Sequence, residues 1–220
     1  MKAPIAIKRA CIVFTLAMVV YNLTALSSQV SAAATDQQMA LVGATVINPA
    51  DGNVMPNATV VINGGKIERV SMGKQDAAAL GRQIDCVGKF ILPGYIDTHI
   101  HFFQSADLFT RPDIVNLNSV RPYRDEVAWI KSHLADTFAR YLRSGITSVV
   151  DVGGPFWNFE VRRRANSTAK APRFAVAGPL ISSVSRPQLD LGDPPIVQIN
   201  NPDQAREFVR KLAQQNPDLL

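Results

Sequence analysis

The chain has 220 residues, of which 47% are hydrophobic and 19% are charged. This composition is typical of a globular protein and excludes a chain that is disordered throughout. The formal charge is +5, but the first 34 residues contribute three basic and no acidic residues, so the rest of the chain carries only +2 (5 minus 3). The remaining basic cluster, Arg162 to Arg164, is typical of a solvated helix face. We therefore expect no nucleic-acid binding.

Residues 1–34 have the pattern of a signal peptide. Lys2, Lys8 and Arg9 precede an apolar run at residues 10–21, and small residues at 31–34 offer cleavage sites. The apolar run is shorter than the roughly 20 residues that a membrane span requires. We therefore expect an exported protein, periplasmic or secreted, with no membrane attachment after cleavage.

Cysteine content limits how the exported chain can be stabilised. Removal of the signal peptide also removes Cys11 and leaves only Cys86, so no internal disulfide can form. Cys86 is expected to be a small buried apolar residue.

Residues 35–91 have the pattern of a β-rich segment. Short β-branched runs at 41–47, 59–62 and 66–70 are separated by turn residues. The turn Asn63-Gly64-Gly65 predicts a β-hairpin, because both central turn positions must tolerate a positive φ.

The segment from Leu92 to Leu220 has a different pattern, in which strand-like runs alternate with helical ones. One helix is predicted to follow Pro122 and to end at Gly145. Its apolar stripe recurs every three or four residues and consists of Val127, Ile130, Leu134, Phe138 and Tyr141. Residues 146–150 then form an apolar, β-branched run that is typical of a strand covered on both faces.

Two further helices and two further strands are predicted. A helix covers residues 157–165, and a buried strand covers residues 174–181. Asn201 and Pro202 then mark the start of a third helix, and Leu219-Leu220 is expected to begin a fourth strand. The alternation predicts an α/β fold with about three parallel βα units.

Two histidines share one face of the first strand of this series. Side chains two residues apart point the same way in a strand, so Asp97, His99 and His101 lie on one face. Two imidazoles at this spacing can bind one divalent ion. A lone His-x-His is a weak signal, but here it lies at the carboxyl end of a buried strand, where βα barrels place their active sites.

The sequence around these histidines resembles a known family. Residues 92–101, LPGYIDTHIH, resemble the metal-binding signature of the amidohydrolase superfamily. Residues 63–67, NGGKI, resemble part of its small β-sandwich, and residues 145–151, GITSVVD, resemble the second barrel strand of its imidazolonepropionase-like and prolidase-like branch. The resemblance covers nearly all of residues 40–220.

The resemblance implies a fold and a chemistry. Residues 35–91 would form a β-sandwich segment, and residues 92–220 would form about the first three βα units of a (β/α)8 TIM-type barrel. The barrel would hold one or two divalent metals, most often zinc, whose bound water attacks an amide, cyclic amide or peptide bond. His99 and His101 match the first two metal ligands of the family.

Asp97 and Asp151 are candidates to orient a metal-binding histidine by hydrogen bonds, without contacting the metal themselves. For Asp97, an ordinary hydrogen bond at the start of the strand is an equally good interpretation. Asp151 follows the second strand of the series, and a local cap remains its default role. Neither role is decided by the sequence.

Several groups of the family have no counterpart in this sequence. The family takes a bridging lysine or glutamate from the fourth strand, histidines from the fifth and sixth, and an aspartate, which also serves as general base, from the eighth. The remaining histidine, His133, falls on the flank of the first predicted helix and is expected to be solvated or structural. We therefore expect an N-terminal portion of such an enzyme that is inactive by itself.

Two functional hypotheses remain open. The first is a hydrolase of carbon-nitrogen bonds that acts on a small molecule or a dipeptide, such as a Xaa-Pro substrate, either as a monomer or as a homo-oligomer. The alternative is a non-catalytic remnant or binding module, although an unclosed barrel would expose a sheet edge and an apolar face.

Overall fold

The computed structural model describes residues 38–73, 81–105 and 107–220, and the chain divides into two compact units, residues 1–93 and 94–220. The predicted signal peptide and Cys11 lie outside the described residues. In the part that is described, no helix is long and apolar enough to cross a membrane.

The strands described in the first unit form one mixed sheet. They are β1 (Gln38–Ile47), β2 (Val54–Asn63), β3 (Lys66–Met72), β4 (Arg82–Asp85) and β5 (Phe90–Ile91). The order is β3-β2-β1-β4, with β5 also beside β1. The pairs β1–β2 and β2–β3 are antiparallel, whereas β4 and β5 run parallel to β1. The sandwich and its bounds at 35–91 stay predictions.

The alternation of side chains explains this sheet. Ala40, Val42 and Ala44 of β1 are buried, because every second residue points to the same face. The predicted hairpin is confirmed, but its turn lies one residue later than expected. Gly64 and Gly65 have φ of 57° and 76°, whereas Asn63 pairs with Lys66. Cys86 is a free, buried thiol, as expected.

The second unit alternates strands with helices. Its elements are β6 (Tyr95–Ile100), α1 (Tyr123–Ser132), α2 (Leu134–Arg143), β7 (Ile146–Asp151), α3 (Asn158–Asn166), β8 (Arg173–Val176), β9 (Leu180–Ser182), β10 (Ile196–Gln198) and α4 (Pro202–Ala213). Strands β6, β7 and β8 form a parallel sheet in that order. The predicted α/β alternation is confirmed.

The helix predicted after Pro122 is instead two helices that meet at His133. The His133 backbone leaves helical geometry, at φ −114° and ψ 32°. Its ring stacks on Trp129 at 4.3 Å between centroids, and its Nδ1 lies 2.9 Å from the Trp129 carbonyl oxygen. A side chain that bonds the backbone of the preceding turn competes with helix continuation. His133 therefore has a structural role at the break.

The strand predicted at residues 174–181 was wrong in its second half. Strand β8 ends at Val176, Gly178 has φ of 88°, and Leu180 begins β9, which pairs in parallel with β10. A positive φ turns the chain out of the sheet, so the apolar run serves two sheets. Leu219 and Leu220 belong to no strand, although the N–H of Asp218 donates to the Val176 carbonyl at 3.0 Å.

The core of the second unit lies between the three-stranded sheet and the helices. Its largest members are aromatic or branched: Ile100, Phe102, Ile130, Phe138, Val149, Phe159, Phe174, Val176, Phe208 and Leu212. Phe102 and Phe159 are at most 1% exposed. Because Phe102 directly follows His101, this packing fixes the end of β6.

Helix α4 has the predicted cap. The Asn201 side chain accepts a hydrogen bond from the Gln204 N–H at 2.9 Å, and Pro202 is the first helical residue. Asn201→Ala should lower the free energy of unfolding by about 1 kcal/mol, because an N–H in the first turn loses its acceptor. Urea unfolding measures the loss. Asn200→Ala is the control: it changes an exposed neighbour and should have a much smaller effect.

Candidate metal centre

His99 and His101 lie together at the carboxyl end of β6. Their ring centroids are 5.4 Å apart with an interplanar angle of 85°. His99 is exposed and His101 is partly buried. Asp97 lies on the same strand, and its Oδ1 accepts the backbone N–H of His99 at 3.2 Å. Asp97 therefore makes the local hydrogen bond that was one of its two predicted roles.

The His101 ring is held by a backbone carbonyl. Its Nδ1 lies 2.7 Å from the carbonyl oxygen of Gly153. A carbonyl oxygen can only accept, so Nδ1 must carry the proton. In the neutral ring, Nε2 then keeps a free lone pair, which is the state that a metal-binding histidine needs.

The acceptor belongs to a peptide unit between two strand ends. The C=O of Gly153 accepts from His101, which follows β6, while the N–H of Gly154 donates at 3.0 Å to the carbonyl of Gly178, which follows β8. Both groups belong to the same planar peptide. The Gly153–Gly154 peptide therefore links the carboxyl ends of β6 and β8.

Asp151 lies at the same end of the sheet. It is opposite Ile100 in the β6–β7 register and is fully buried. Its Oδ1 accepts the N–H of Gly153 at 3.2 Å, and its Oδ2 accepts from Nδ2 of Asn158. Burial raises the pKa of Asp151 to about 7, whereas hydrogen bonds from Gly153, Asn158 and Phe102 lower the pKa by a smaller amount. Asp151 is thus connected to His101 through Gly153.

Sequence reasoning did not identify Asn158, Gly153 or Gly154. Asn158 is the first residue of α3 and is fully buried. A Cβ on Gly154 would overlap Nδ2 of Asn158, so a larger residue there would displace the Asn158 amide. The available signal was the Asp-x-Gly-Gly sequence that follows β7, where small residues permit a close approach of backbones.

Asp193 was also missed. Its two carboxylate oxygens accept the N–H groups of Phe156 and Trp157, each at 3.0 Å. A carboxylate on the free N–H groups at a helix N-terminus is stabilising. Asp193 therefore anchors the start of α3, the helix that carries Asn158.

The donor set fits a divalent ion that prefers nitrogen ligands, but it is incomplete. The His101 hydrogen bond leaves Nε2 available, and within the described ranges the His99 ring makes no hydrogen bond. No group of three His, Cys, Asp or Glu residues that could hold a metal occurs among the residues described. His99 and His101 could therefore supply two ligands.

A family profile matches a large part of the sequence. The sequence profile described as "Amidohydrolase family" matches residues 90–215, which is more than half of the chain. This chain belongs to the amidohydrolase family. The match includes β6 with its two histidines and extends beyond α4, so it covers almost the whole of the second unit.

Solved structures of similar proteins support the same fold. A prolidase complexed with N-methylphosphonate-L-proline is 25% identical, with a TM-score of 0.59. A Xaa-Pro dipeptidase with bound methionine is 21% identical with a TM-score of 0.59, and the A. niger ochratoxinase is 19% identical with a TM-score of 0.60. Each comparison covers 82% of this amidohydrolase-family chain and 45% of the other protein. No curated protein sequence matches the chain.

Proposed function

We propose that this chain supplies the first two metal ligands, His99 and His101, of a hydrolase that cleaves carbon-nitrogen bonds. The observation that carries the proposal is the 2.7 Å contact between Nδ1 of His101 and the Gly153 carbonyl. This contact leaves the lone pair of Nε2 available to a metal, and the His101 ring lies beside the His99 ring. His133, which also contacts a backbone carbonyl through Nδ1, has no second histidine ring beside it among the described residues.

The second unit is proposed to be part of a (β/α)8 barrel. Strands β6, β7 and β8 are consecutive, parallel and separated by helices, which is the pattern of the first barrel strands. The histidines, the Gly153–Gly154 peptide and Asp151 lie at the carboxyl ends of these strands. Active sites of such barrels lie at that end.

Zinc is the metal we propose, because histidine nitrogen is among its preferred ligands. A bound divalent ion would polarise a scissile carbonyl and lower the pKa of water. In this chain, Gly153 holds the ring of His101, and Asp151 holds Gly153. Catalytic zinc sites use three protein ligands, so we expect the 220-residue chain by itself to hydrolyse no dipeptide at an enzymatic rate.

For the substrate, we propose a dipeptide or related small molecule, with Xaa-Pro peptides as the first class to test. The likeness to a prolidase bound to a proline phosphonate supports this choice. The predicted signal peptide supports an exported site of action, where peptides are available. Other amides belong in the panel as well, because the proposed metal-activated water is not limited to peptide bonds.

His99→Ala and His101→Ala should each weaken zinc binding by at least about 100-fold, because one of two imidazole donors is lost. Competition with a chromophoric zinc chelator measures the affinity of the full chain. His133→Ala is the matched control, because His133 lies at the break between α1 and α2 and not at the proposed metal site. The zinc affinity of this variant should equal that of the unsubstituted chain. Equal losses in all three variants would contradict the assignment.

Activity is tested with the product of the whole reading frame that contains this sequence. Hydrolysis of a Xaa-Pro panel should be abolished by a chelator, restored by zinc, and lost in His99→Ala. Turnover that survives both the chelator and the substitution would rule out the metal-dependent mechanism. Zinc binding with no turnover of any amide would favour the non-catalytic alternative.

A further inference from the structure

Asn158 is a buried polar residue that the proposed metal site does not itself use. Its side chain is fully buried at the start of α3, and its Nδ2 donates to Oδ2 of Asp151. In the described part of the chain, its Oδ1 has no hydrogen-bond partner. An unpaired buried acceptor is destabilising. The bond to Asp151 therefore offsets a real cost of placing an amide here.

The bond from Asn158 is the first of three that end at His101. Asn158 donates to one oxygen of Asp151, and the other oxygen accepts the N–H of Gly153 at 3.2 Å. The Gly153 carbonyl then accepts from Nδ1 of His101 at 2.7 Å. The N–H and the C=O of Gly153 belong to neighbouring peptide groups that meet at its Cα, so the bond to Asp151 acts on His101 by fixing the position of the Gly153 carbonyl.

We propose that Asn158 is a positioning residue for the metal site: it holds the Asp151 side chain on Gly153, so that the Gly153 carbonyl keeps the proton of His101 on Nδ1. The proton on Nδ1 leaves Nε2 free for a metal. The inference rests on the proposed function for its purpose, but the proton position on His101 is a property of the metal-free chain.

Packing leaves little room for this network to adjust. A Cβ at Gly153 would lie 2.5 Å from Cγ of Leu180, and a Cβ at Gly154 would lie 2.1 Å from Nδ2 of Asn158. Leu180 therefore packs against Gly153, and Asn158 packs against Gly154. We expect a change at Asn158 to remove one of the contacts that hold this peptide, and with it the acceptor of His101, in place.

The proton position is measured by NMR. The chain has three histidines, His99, His101 and His133, so histidine-selective ¹⁵N labelling gives three ring systems, and His101→Gln identifies the one of interest. In the metal-free full chain, we expect Nδ1 of His101 to show the shift of a protonated nitrogen and Nε2 that of an unprotonated one. In Asn158→Leu, which has a similar volume and no amide, the two shifts should move toward each other as both tautomers become populated.

Asn166→Leu is the matched control. Asn166 lies at the other end of α3, where its amide exchanges two hydrogen bonds with the backbone of Phe174, at 3.0 and 3.2 Å. The substitution destabilises the same helix by the same chemistry without touching Asp151. It should leave the His101 shifts unchanged. An equal response to both substitutions would overturn the proposal, as would unchanged shifts in Asn158→Leu.

Zinc affinity is the second measurement. Loss of a residue that orients a metal-binding histidine typically costs about 10- to 100-fold in affinity. Asn158→Leu should show a loss of this size and Asn166→Leu should not. Altered shifts without weaker zinc binding would contradict the positioning role. Altered shifts and weaker binding in a protein that hydrolyses no amide would uphold it while the proposed function fails.

A residue exchange guards against the case in which Asn158→Leu does not fold. Asn158→Asp places a second carboxyl beside that of Asp151, and two carboxyls at this distance do not readily ionise at the same time. Adding Asp151→Asn to it restores one amide and one carboxylate, and the new amide can still accept from Gly153 with its oxygen. The double variant should recover the His101 shifts and zinc affinity that Asn158→Asp loses. Failure to recover either would refute the proposal.

Discussion

Phe102→Ala should lower the free energy of unfolding of the second unit by about 3–5 kcal/mol. Phe102 is 0% exposed and directly follows His101. Its ring lies 5.3 Å from that of Phe174 and 6.1 Å from those of Phe138 and Trp157, measured between centroids. Removing it takes away these aromatic contacts and leaves a cavity among three elements.

Tryptophan fluorescence during urea unfolding measures this loss. Both tryptophans, Trp129 and Trp157, lie in the second unit, so their signal reports on that unit alone. Leu108→Ala is the control, because Leu108 lies six residues further along the same segment but is 68% exposed. It should change the stability by less than about 0.5 kcal/mol.

The same substitution should also weaken zinc binding, because Phe102 packs the segment that carries His101. A stability loss below about 1 kcal/mol would show that the aromatic cluster relaxes around the missing ring. Such a result would contradict the assignment of Phe102 to the centre of the core. A full stability loss with unchanged zinc affinity would show instead that Gly153 alone holds His101.

Local signals in the sequence were sufficient for several elements. The Gly64-Gly65 turn, the cap at Asn201 and the continuous apolar run of β7 each depend on residues that are neighbours in the chain. Such signals act through backbone sterics and short hydrogen bonds, so they do not require knowledge of the tertiary fold. The alternation that predicted the shared face of His99 and His101 is of the same kind.

The elements that were missed depend on contacts between distant residues. The apolar stripe through Val127 and Tyr141 is continuous, and nothing in its spacing marks the break at His133. Strands β9 and β10 have three residues each, too few to show a period, and their pairing joins residues sixteen positions apart. Tertiary context decides these features.

The same distinction between local signals and distant contacts applies to the candidate metal site. The two histidines could be found from spacing, whereas the hydrogen-bond partner of the His101 ring could not. His101 bonds a carbonyl 52 residues away, and the peptide that offers it is held by Asp151 and Asn158. A backbone carbonyl carries no sequence signal of its own, since every residue has one.

The pH dependence of stability should reveal the buried carboxyl of Asp151. The pKa of Asp151 in the folded chain is raised to about 7 from an ordinary value of 3.8, mainly by burial. Between these two values the folded state holds a proton that the unfolded state has released. The free energy of unfolding must therefore fall as pH rises through this window, and it levels off above about pH 7.

Asp151→Asn removes this titration. From about pH 5 to about pH 8 the unsubstituted chain should lose about 2–3 kcal/mol more stability than Asp151→Asn does, because a shift of one pKa unit corresponds to about 1.4 kcal/mol. All other titrating groups are common to both proteins and cancel in the comparison. Urea unfolding followed by tryptophan fluorescence at the two pH values measures the difference.

Asp113→Asn is the control with the opposite shift. The Arg111 guanidinium, which bonds both oxygens of Asp113, lowers the pKa of that carboxyl from 3.8. Both its folded and its unfolded pKa then lie below pH 5, so whatever stability Asp113→Asn removes should be the same at the two pH values. If Asp151→Asn behaves like Asp113→Asn, the carboxyl of Asp151 is ionised from pH 5 to pH 8. Its burial beside Asn158 and Gly153 then does not raise its pKa into this range.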